Sequence, residues 1–413
     1  MMGKKGNELN TIKRYIGQFH PIVWVLLTGT ILSRGAMFMT MPFLAIYLSR
    51  TIDMHPLLIG LTVGISPLVA TAGGFVGGHL SDRYGRKPIL TISLFTISLV
   101  FFGFSLATHP VWFIVLNALN GLSNSFFEPT SQALIADLTE KKKRMKAYSL
   151  RYTAINIGAA VGPLLGAYLA NISAESTFII TGIIYFAYAL ALTALLGRFQ
   201  LGAAASDKLK VTFLDALNIV KKDSALRYLI FGIILINIGY SQLQSTLPMH
   251  LEESLENGVY IFSILLSVNA TMVVFLQMPV SAIAERFRPM HVMVFGSLLM
   301  MTGLAGFGFT AGWFLSLLSV ALLTMGEILI FPANSVLIDR LAPERLRGIY
   351  FGAGQFRKVG NFAGPVLGGF LFSEAGGSVM LWTVSIIALA SIIFFSLGNR
   401  SFIKVEADVA KTG

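Results

Sequence analysis

The chain has 413 residues, of which 55% are hydrophobic and only 12% are charged, and its mean hydropathy is +0.73. A soluble globular domain carries about twice that charged fraction, so this composition excludes an ordinary soluble protein. The absence of cysteine excludes disulfides, thiol catalysis and cysteine-ligated metal sites.

The net charge of +11 is a feature that the chain shares with nucleic-acid-binding proteins. Its placement argues for another cause, because Arg50 is the only Lys or Arg that we assign to an outer loop. Most of the other basic residues lie in segments that we assign to the cytoplasmic side, such as the basic run at 141–146. The outer loops instead carry acids such as Asp53 and Glu252. This asymmetry follows the positive-inside rule. It predicts that both termini are cytoplasmic and that nucleic acid is not a partner.

Apolar runs recur along the whole chain, and a bilayer-spanning helix needs about 20 such residues. In chain order, the predicted helices are 21–48, 57–79, 89–108, 111–136, 147–170, 176–197, 225–249, 258–283, 290–310, 313–338, 348–372 and 376–397. Outer-membrane barrels instead show alternating segments of about 10 residues. We therefore predict an all-α membrane protein with twelve transmembrane helices.

The longest polar connector divides the chain almost in half. It covers 198–224, which leaves an N-terminal half at 1–197 and a C-terminal half at 225–413. The later part of this connector has the apolar spacing of a short amphipathic helix lying on the inner membrane surface. We therefore expect two six-helix halves joined by a cytoplasmic loop.

Matched segments indicate that the two halves arose by duplication. The charged turn GGHLSDRYGRKP at 77–88 has a weaker copy, SAIAERFRP, at 281–289. EPTSQALIADLT at 128–139 resembles FPANSVLIDRLA at 331–342, which begins 203 positions later. Two halves in the same orientation form a parallel repeat, and the substrate site of such proteins lies between the halves near the middle of the membrane.

Three segments resemble motifs of the major facilitator superfamily. GGHLSDRYGRKPIL resembles motif A of the loop between helices 2 and 3, and GAAVGPLLGA in helix 5 resembles the Gly-Pro motif C of its proton-coupled antiporters. RGAMFMTMPFLAIY in helix 1 has the Gly…Pro arrangement of drug exporters. The resemblance covers the whole chain and implies a twelve-helix drug:proton antiporter of the plasma membrane. Two departures are that Ser149 and Ala167 replace glycines of motif C, and that Asn117 stands where motif B has an arginine.

The charged turn at 77–88 is a candidate gate. Its glycines allow close approach of helix backbones, and Asp137 is the expected partner of Arg86. The alternative is that these are ordinary positive-inside charges on a tight turn. We expect a latch that holds the halves together on the cytoplasmic side, formed by Gly78, Asp82, Arg83, Gly85, Arg86 and Asp137.

Glycines recur every fourth residue in helix 5. Gly158, Gly162 and Gly166 share one face, and Pro163 removes a backbone donor. This pattern predicts a closely packed, kinked helix seam. The link to antiport comes from the resemblance, whereas the spacing alone indicates packing.

Charged side chains within the predicted spans are the sharpest site candidates, because burying them in a membrane is costly. Glu327 lies midway through helix 10, and Glu128 lies in helix 4 somewhat nearer the cytoplasm. Burial disfavours the charged form of a carboxyl, so either residue is a candidate proton carrier. Arg34 in helix 1 is a candidate partner for a carboxylate or an anionic substrate group. Arg357 and Lys358 lie nearer the inner end of helix 11 and could snorkel, and a structural ion pair is the alternative for each of these charges.

The expected substrate cavity combines methionine, aromatic and amide side chains. Flexible surfaces of this kind suit varied apolar ligands, although packing or lipid contact is the alternative for each residue. Three of them recur at helical spacing on helix 7 and are expected to share a face. The set is Met37, Phe38, Met41, Phe127, Asn237, Tyr240, Gln244, Phe331 and Asn334.

These features predict a secondary active transporter that exports lipophilic drugs, cationic ones among them, in exchange for protons. The alternative is a carrier of the same superfamily for a sugar, an organic anion or a lipid. We expect no cofactor and no metal, and we expect the chain to act as a monomer in the bilayer. A membrane-embedded enzyme is disfavoured, because no nucleophile or paired-acid constellation sits at helix-compatible spacing in the spans.

Overall fold

A computed structural model of the chain describes residues 18–140, 143–170, 173–199, 213–309, 312–343, 346–398 and 401. Within these ranges the chain is almost entirely helical and contains no strand. The predicted all-α fold class is therefore confirmed.

The first half contains six long helices. They are α1 (Pro21–Arg50), α2 (Pro56–Tyr84), α3 (Arg86–Leu106), α4 (Pro110–Asp137), α5 (Arg144–Ala170) and α6 (Ala174–Arg198). Each of them contains one predicted span or nearly all of it, with ends that differ by a few residues.

The second half begins with the short amphipathic helix that the sequence predicts, α7 (Phe213–Lys222). The preceding part of the predicted connector, 200–212, lies outside the described residues. The helices that follow are α8 (Ser224–Tyr240), α9 (Leu247–Ser254), α10 (Gly258–Ala284), α11 (Pro289–Gly306), α12 (Trp313–Leu341), α13 (Arg347–Gly354) and α14 (Lys358–Leu389), and residues 391–398 are again helical.

Twelve crossings of the membrane follow from these helices. Nine helical stretches in the described ranges are long and apolar enough to span a bilayer by length and composition. The last of them, Tyr350–Gly398, holds two crossings, because Gly376 breaks the helix with φ 76° and ψ 169°. The more polar helices α2 and α4 complete the set.

Three His-Pro pairs explain where helices begin. His20, His55 and His109 each precede the proline that starts α1, α2 or α4. In each pair the imidazole Nδ1 accepts a hydrogen bond from the backbone N–H two residues later, at 3.2, 3.3 and 3.4 Å. Proline suits the first helical position because the N–H that it lacks would have no partner in the helix. Half of the six histidines are thus helix caps.

The prediction of one continuous helix over 225–249 is wrong. After α8 the chain tightens into a 3-10 turn at Ser241–Gln244 before α9 begins. The buried Gln242 amide donates from Nε2 to the carbonyl oxygens of Ile238 and Gly364, both at 2.9 Å. The second of these bonds ties the turn to α14. This tertiary contact is absent from the local hydrophobic pattern, which is why the pattern suggests an unbroken helix.

The two halves meet along α2 with α14 and along α5 with α10. Gly60 and Gly64 of α2 lie directly against the backbones of Pro365 and Phe362. On the other side, the Ser267 hydroxyl of α10 donates to a carbonyl oxygen of α5 at 2.8 Å. These contacts lie in the part of the bundle nearest the α1–α2 loop, which is the predicted outer end. The halves are therefore in close contact at that end.

An ion pair also joins the halves at the predicted outer end. Arg50, at the end of α1, pairs through Nη2 with Oε1 of Glu252 on α9. The arginine side chain is 61% exposed, whereas that of Glu252 is 12% exposed. Because water screens exposed ion pairs, this pair is worth no more than about 1 kcal/mol.

Arg50→Gln should therefore shift the equilibrium toward an open outer end only slightly, by less than about fivefold. The chain has no cysteine, so a single cysteine at the half-buried Val366, which lies against Gly60 of the other half, can report this opening through its rate of thiol labelling. Slower labelling in the variant would contradict a closing role for the pair.

Candidate functional site

A carboxyl in the C-terminal half is held by neutral donors. Glu327 of α12 accepts a hydrogen bond at Oε1 from the Tyr240 hydroxyl at 3.0 Å. Its Oε2 accepts from Nδ2 of Asn269 at 2.9 Å, and the same Nδ2 lies 2.9 Å from the Thr324 hydroxyl oxygen. Three helices, α8, α10 and α12, thus converge on one acid, and we call these four residues the Glu327 site.

An aromatic layer, formed by the rings of Tyr240 and Phe331, borders the Glu327 site and contacts one cationic side chain. The rings of Tyr240 and Phe331 meet edge to face with centroids 5.3 Å apart. The Arg357 guanidinium lies 6.0 Å from the centre of the Phe331 ring, which is within cation–π range. Lys358 follows directly in the chain. Arg357 therefore contacts the aromatic layer of the site, and no ion pair between Arg357 and Glu327 is described.

A second carboxyl, in the N-terminal half, is held by two arginines. Glu128 of α4 pairs through Oε1 with Arg34 of α1 and through Oε2 with Arg151 of α5. The three side chains are 25%, 22% and 10% exposed, respectively. Both carboxylate oxygens are engaged by cations, and we call this group the arginine cluster.

Asparagines form a polar ladder that leads along α4 to Glu128. Asn117 donates to the carbonyl oxygen of Thr62 at 2.6 Å, and Asn124 donates to Oδ1 of Asn120 at 2.8 Å. The first and second of the three asparagines are buried, whereas Asn124 and Glu128 are partly exposed. Access to polar side chains on α4 therefore increases toward the predicted cytoplasmic end.

The two carboxyls differ in the chemistry that they can perform. Two guanidinium groups remain charged at all accessible pH values and favour the ionised form of Glu128. At Glu327 the direct partners are a hydroxyl and an amide, which can rotate to serve either the ionised or the protonated acid. Of the two, Glu327 is the acid whose surroundings permit a change of protonation state.

The charged turn at the end of α2 contains the expected pairing of Arg86 with Asp137. Nε of Arg86 lies 3.3 Å from Oδ2 of Asp137, and its Nη1 donates to the Ser81 hydroxyl at 2.7 Å. Gly85 has φ 91°, a conformation that glycine adopts readily, and it connects α2 to α3. The remaining members of the predicted latch, Gly78, Asp82 and Arg83, lie within α2.

The glycine face of α5 packs against α1. Gly158 lies against Gly35, with room for no larger side chain, since an added Cβ would lie 2.6 Å from the Gly35 nitrogen. Gly162 and Gly166 approach the α1 backbone in the same way farther along, and Pro163 is buried inside α5. The two helices thus approach each other closely along this face.

The predicted cavity residues divide between the two sites. Tyr240 and Phe331 belong to the Glu327 site and its aromatic layer. Met37 lies beside the arginine cluster, with its sulfur 3.8 Å from Nη1 of Arg34. Met41 accepts a long contact from Asn120 Nδ2 at 3.9 Å.

Other predicted cavity residues lie elsewhere. Phe38 packs against Gly162 of α5, and Phe127 is buried edge to face with a ring of α6. Asn237 and Asn334 are also buried. The prediction that Gln244 shares a face with Asn237 and Tyr240 is wrong, because α8 ends before it and the 3-10 turn leaves its side chain exposed.

Sequence reasoning missed two residues of these sites. Arg151 lies near the start of the predicted span 147–170, two helical turns before Gly158 and so on the face that meets α1. Asn269 is one of two side-chain amides, with Gln277, within the apolar run of α10. A buried amide in such a run usually hydrogen-bonds across helices, and this signal could have marked it.

Two six-helix halves that enclose embedded acids and bases are the architecture of a secondary membrane transporter. The sequence profile of the Major Facilitator Superfamily matches residues 26–358. The chain belongs to the Major Facilitator Superfamily.

Several relatives are similar over most of their length. YqjV of Bacillus subtilis, described as an uncharacterized MFS-type transporter, is 34% identical over 89% of this chain and 90% of its own. A Na(+), Li(+), K(+)/H(+) antiporter of Planococcus maritimus is 28% identical over 83% of this chain and 87% of its own. Multidrug resistance protein MdtH of Yersinia enterocolitica is 27% identical over 91% and 90%.

The fold is also that of solved transporters. The crystal structure of the nucleoside transporter NupG matches with a TM-score of 0.77 over 93% of this chain and 99% of its own, at 14% identity. At this identity the likeness concerns the fold alone.

Proposed function

We propose that the chain is a proton-coupled exporter of lipophilic, cationic small molecules that works by alternating access. The observation that carries this proposal is the Glu327 site, in which an embedded carboxyl is held by Tyr240 and Asn269 and by no described ion pair. A cationic substrate and a proton would compete for the same acid. Mutual exclusion at one site is what exchange in opposite directions requires.

The similarity to a multidrug resistance protein and to a cation/proton antiporter supports proton coupling and a cationic cargo. The charge asymmetry of the loops supports a plasma-membrane protein with both termini cytoplasmic. With that orientation, the halves are in contact at the outer end and the α4 ladder is reached from the cytoplasm. This is the arrangement in which an exporter accepts its cargo.

The latch remains part of the proposal. The pairing of Arg86 with Asp137 and Ser81 lies within the N-terminal half. It would order the α2–α3 turn so that the turn can meet the other half when the cytoplasmic end closes. The second copy of the turn, at 281–289, lacks its glycines and would contribute less.

The oxygen atoms around Glu327 favour a second candidate, exchange of alkali cations for protons. The hydroxyls of Tyr240 and Thr324 add neutral oxygens near one carboxylate, and the Asn269 amide, which donates from Nδ2 to Glu327, can turn to present its oxygen. One negative charge with neutral oxygens suits a monovalent cation.

Proton flux in proteoliposomes tests the proposal. The purified chain is reconstituted with an acidic interior, and a fluorescent pH dye reports proton efflux on addition of lipophilic cations, Na⁺, K⁺, sugars or lipids. We expect efflux with lipophilic cations, at least about tenfold above protein-free vesicles. Efflux only with Na⁺ or K⁺ would favour the second candidate, and efflux only with sugars or lipids would overturn both.

A further inference from the structure

The arginine cluster carries more positive than negative charge. Arg34 and Arg151 occupy the two oxygens of a single carboxylate, Glu128, so two fixed cations face one anion. Guanidinium groups do not lose their protons in proteins. The cluster therefore has a net charge of about +1 inside a membrane-spanning bundle, where an unbalanced charge is costly.

The cluster is also open enough to receive a ligand. The side chains of Arg34 and Glu128 are 22% and 25% exposed, and the asparagine ladder of α4 becomes more accessible toward them. Beyond the ion pair, Nη1 of Arg34 contacts the sulfur of Met37 at 3.8 Å. A thioether is a weak acceptor, so this donor can exchange it for a stronger one.

The surroundings in the C-terminal half add to the positive balance. The Arg357 guanidinium contacts the Phe331 ring, which borders the Glu327 site. With Arg34 and Arg151 it makes three bases beside the two acids Glu128 and Glu327. A substrate with only a positive charge would bind Glu327 and leave the excess positive charge of the arginine cluster without a counter-ion.

We propose that the arginine cluster is a binding subsite for an anionic group, and that the cargo is a lipophilic zwitterion. Its basic group would bind Glu327, and its acidic group would bind Arg34 and Arg151. A planar guanidinium matches a carboxylate with two parallel hydrogen bonds. The apolar body would lie against Met37 and the aromatic layer at Phe331. This inference rests on the proposed function, since it names the substrate class for that transporter.

Neighbouring side chains offer a route between the two sites. Arg151 of α5 binds Glu128, and α5 packs against α10 of the other half, which carries Asn269 of the Glu327 site. Helix α5 therefore borders both subsites, and a single ligand between the halves can reach both.

Equilibrium binding to purified protein tests the subsite without a proton gradient. The probes are aminoalkyl naphthoic acids with alkyl chains of increasing length, each with its carboxamide, which is only cationic, and its N-acetyl form, which is only anionic. At the best chain length, we expect the zwitterion to bind roughly tenfold or more tightly than its carboxamide, because it adds a charge-assisted hydrogen bond.

Variants that lower or raise the net charge of the cluster should shift the affinity for the zwitterion in opposite directions. Arg34→Gln makes the cluster neutral and should weaken zwitterion binding roughly tenfold. Glu128→Gln leaves both arginines without their acid and should strengthen it. The double variant Arg34→Gln/Glu128→Gln restores the wild-type net charge and should return affinity to within about threefold of wild type. Carboxamide binding should change much less in all three.

A merely structural cluster would respond differently. Breaking a buried ion pair from either side would weaken binding of every probe. If Arg34→Gln and Glu128→Gln shift zwitterion affinity in the same direction, or if the carboxamide shifts equally, the subsite is overturned. Each variant must elute as a monodisperse peak on size exclusion. If one of the two single variants fails to fold, the double variant is compared with the single variant that does fold.

A lipid headgroup is the other source of an anionic group. Repeating the binding in nanodiscs of phosphatidylcholine, with and without phosphatidylglycerol, separates the two sources. Unchanged zwitterion affinity supports a subsite for cargo. Competitive loss of affinity with phosphatidylglycerol, removed by Arg34→Gln, would assign the cluster to lipid and overturn the proposal. Proton efflux driven by the carboxamide through Glu327, without preference for the zwitterion, would remove this inference alone and leave the proposed function intact.

Discussion

Glu327→Gln is expected to reduce proton-driven transport to the level of protein-free vesicles while the protein still reaches the membrane. Glutamine keeps the shape of the side chain and one carbonyl acceptor for the Tyr240 hydroxyl, and the Asn269 amide can turn to accept from the new NH₂ group. The variant therefore removes the titratable group with little loss of packing. Substrate-driven proton efflux from proteoliposomes measures the effect.

The matched control is Glu374→Gln. Glu374 is an exposed glutamate of α14, outside both sites, and its replacement should leave efflux within about twofold of wild type. Undiminished efflux in Glu327→Gln would show that another group carries the proton.

Gly60→Val is expected to hold the outer end open and to stop transport. A Cβ at Gly60 would collide with the Pro365 carbonyl oxygen of the opposite half. Overpacking of this kind costs about 1–3 kcal/mol, a shift of about 5-fold to 150-fold in the equilibrium between closed and open outer ends. Because the collision is between the halves, each half can still fold. Thiol labelling at Val366→Cys should become faster by that factor, and transport should fall with it.

Gly74→Val provides a control on the same helix. A Cβ there would meet nothing within 4 Å, yet the loss of glycine from α2 is the same. Labelling and transport should stay near wild type in this variant. Equal effects of the two substitutions would mean that helix propensity, not the contact between the halves, governs the outer end.

Much of the fold can be predicted from the sequence because a membrane imposes a simple rule. Long apolar runs must become helices so that the backbone is hydrogen-bonded internally, and the predicted spans accordingly coincide with helices throughout the described ranges. The failures occur at 225–249, where Gln242 bonds to the Gly364 carbonyl and the helix breaks, and at 348–372, where a 3-10 turn at Gln355–Arg357 separates α13 from α14. A contact between residues so far apart in sequence leaves no local periodic signal.

The site is only partly predictable for a related reason. Glu327, Glu128 and Arg34 attract attention as charges in apolar runs, yet their sequence positions do not reveal their partners. The structure shows that Arg151 gives Glu128 a second cation, whereas Glu327 receives neutral donors. The sequence treats the two acids alike, and only their neighbours distinguish the acid in an ion pair from the acid held by neutral donors.

The most direct test of a proton-exchanging Glu327 is proton release on substrate binding in weakly buffered detergent solution, followed with a pH indicator. The cation-only carboxamide probe is added to wild-type protein and to Glu327→Gln. The pH is chosen so that Glu327 of the wild-type protein is only partly ionised before the probe is added. Exchange at Glu327 predicts proton release, up to one per bound probe, from wild type and none from the variant. Equal release from both proteins would contradict the assignment.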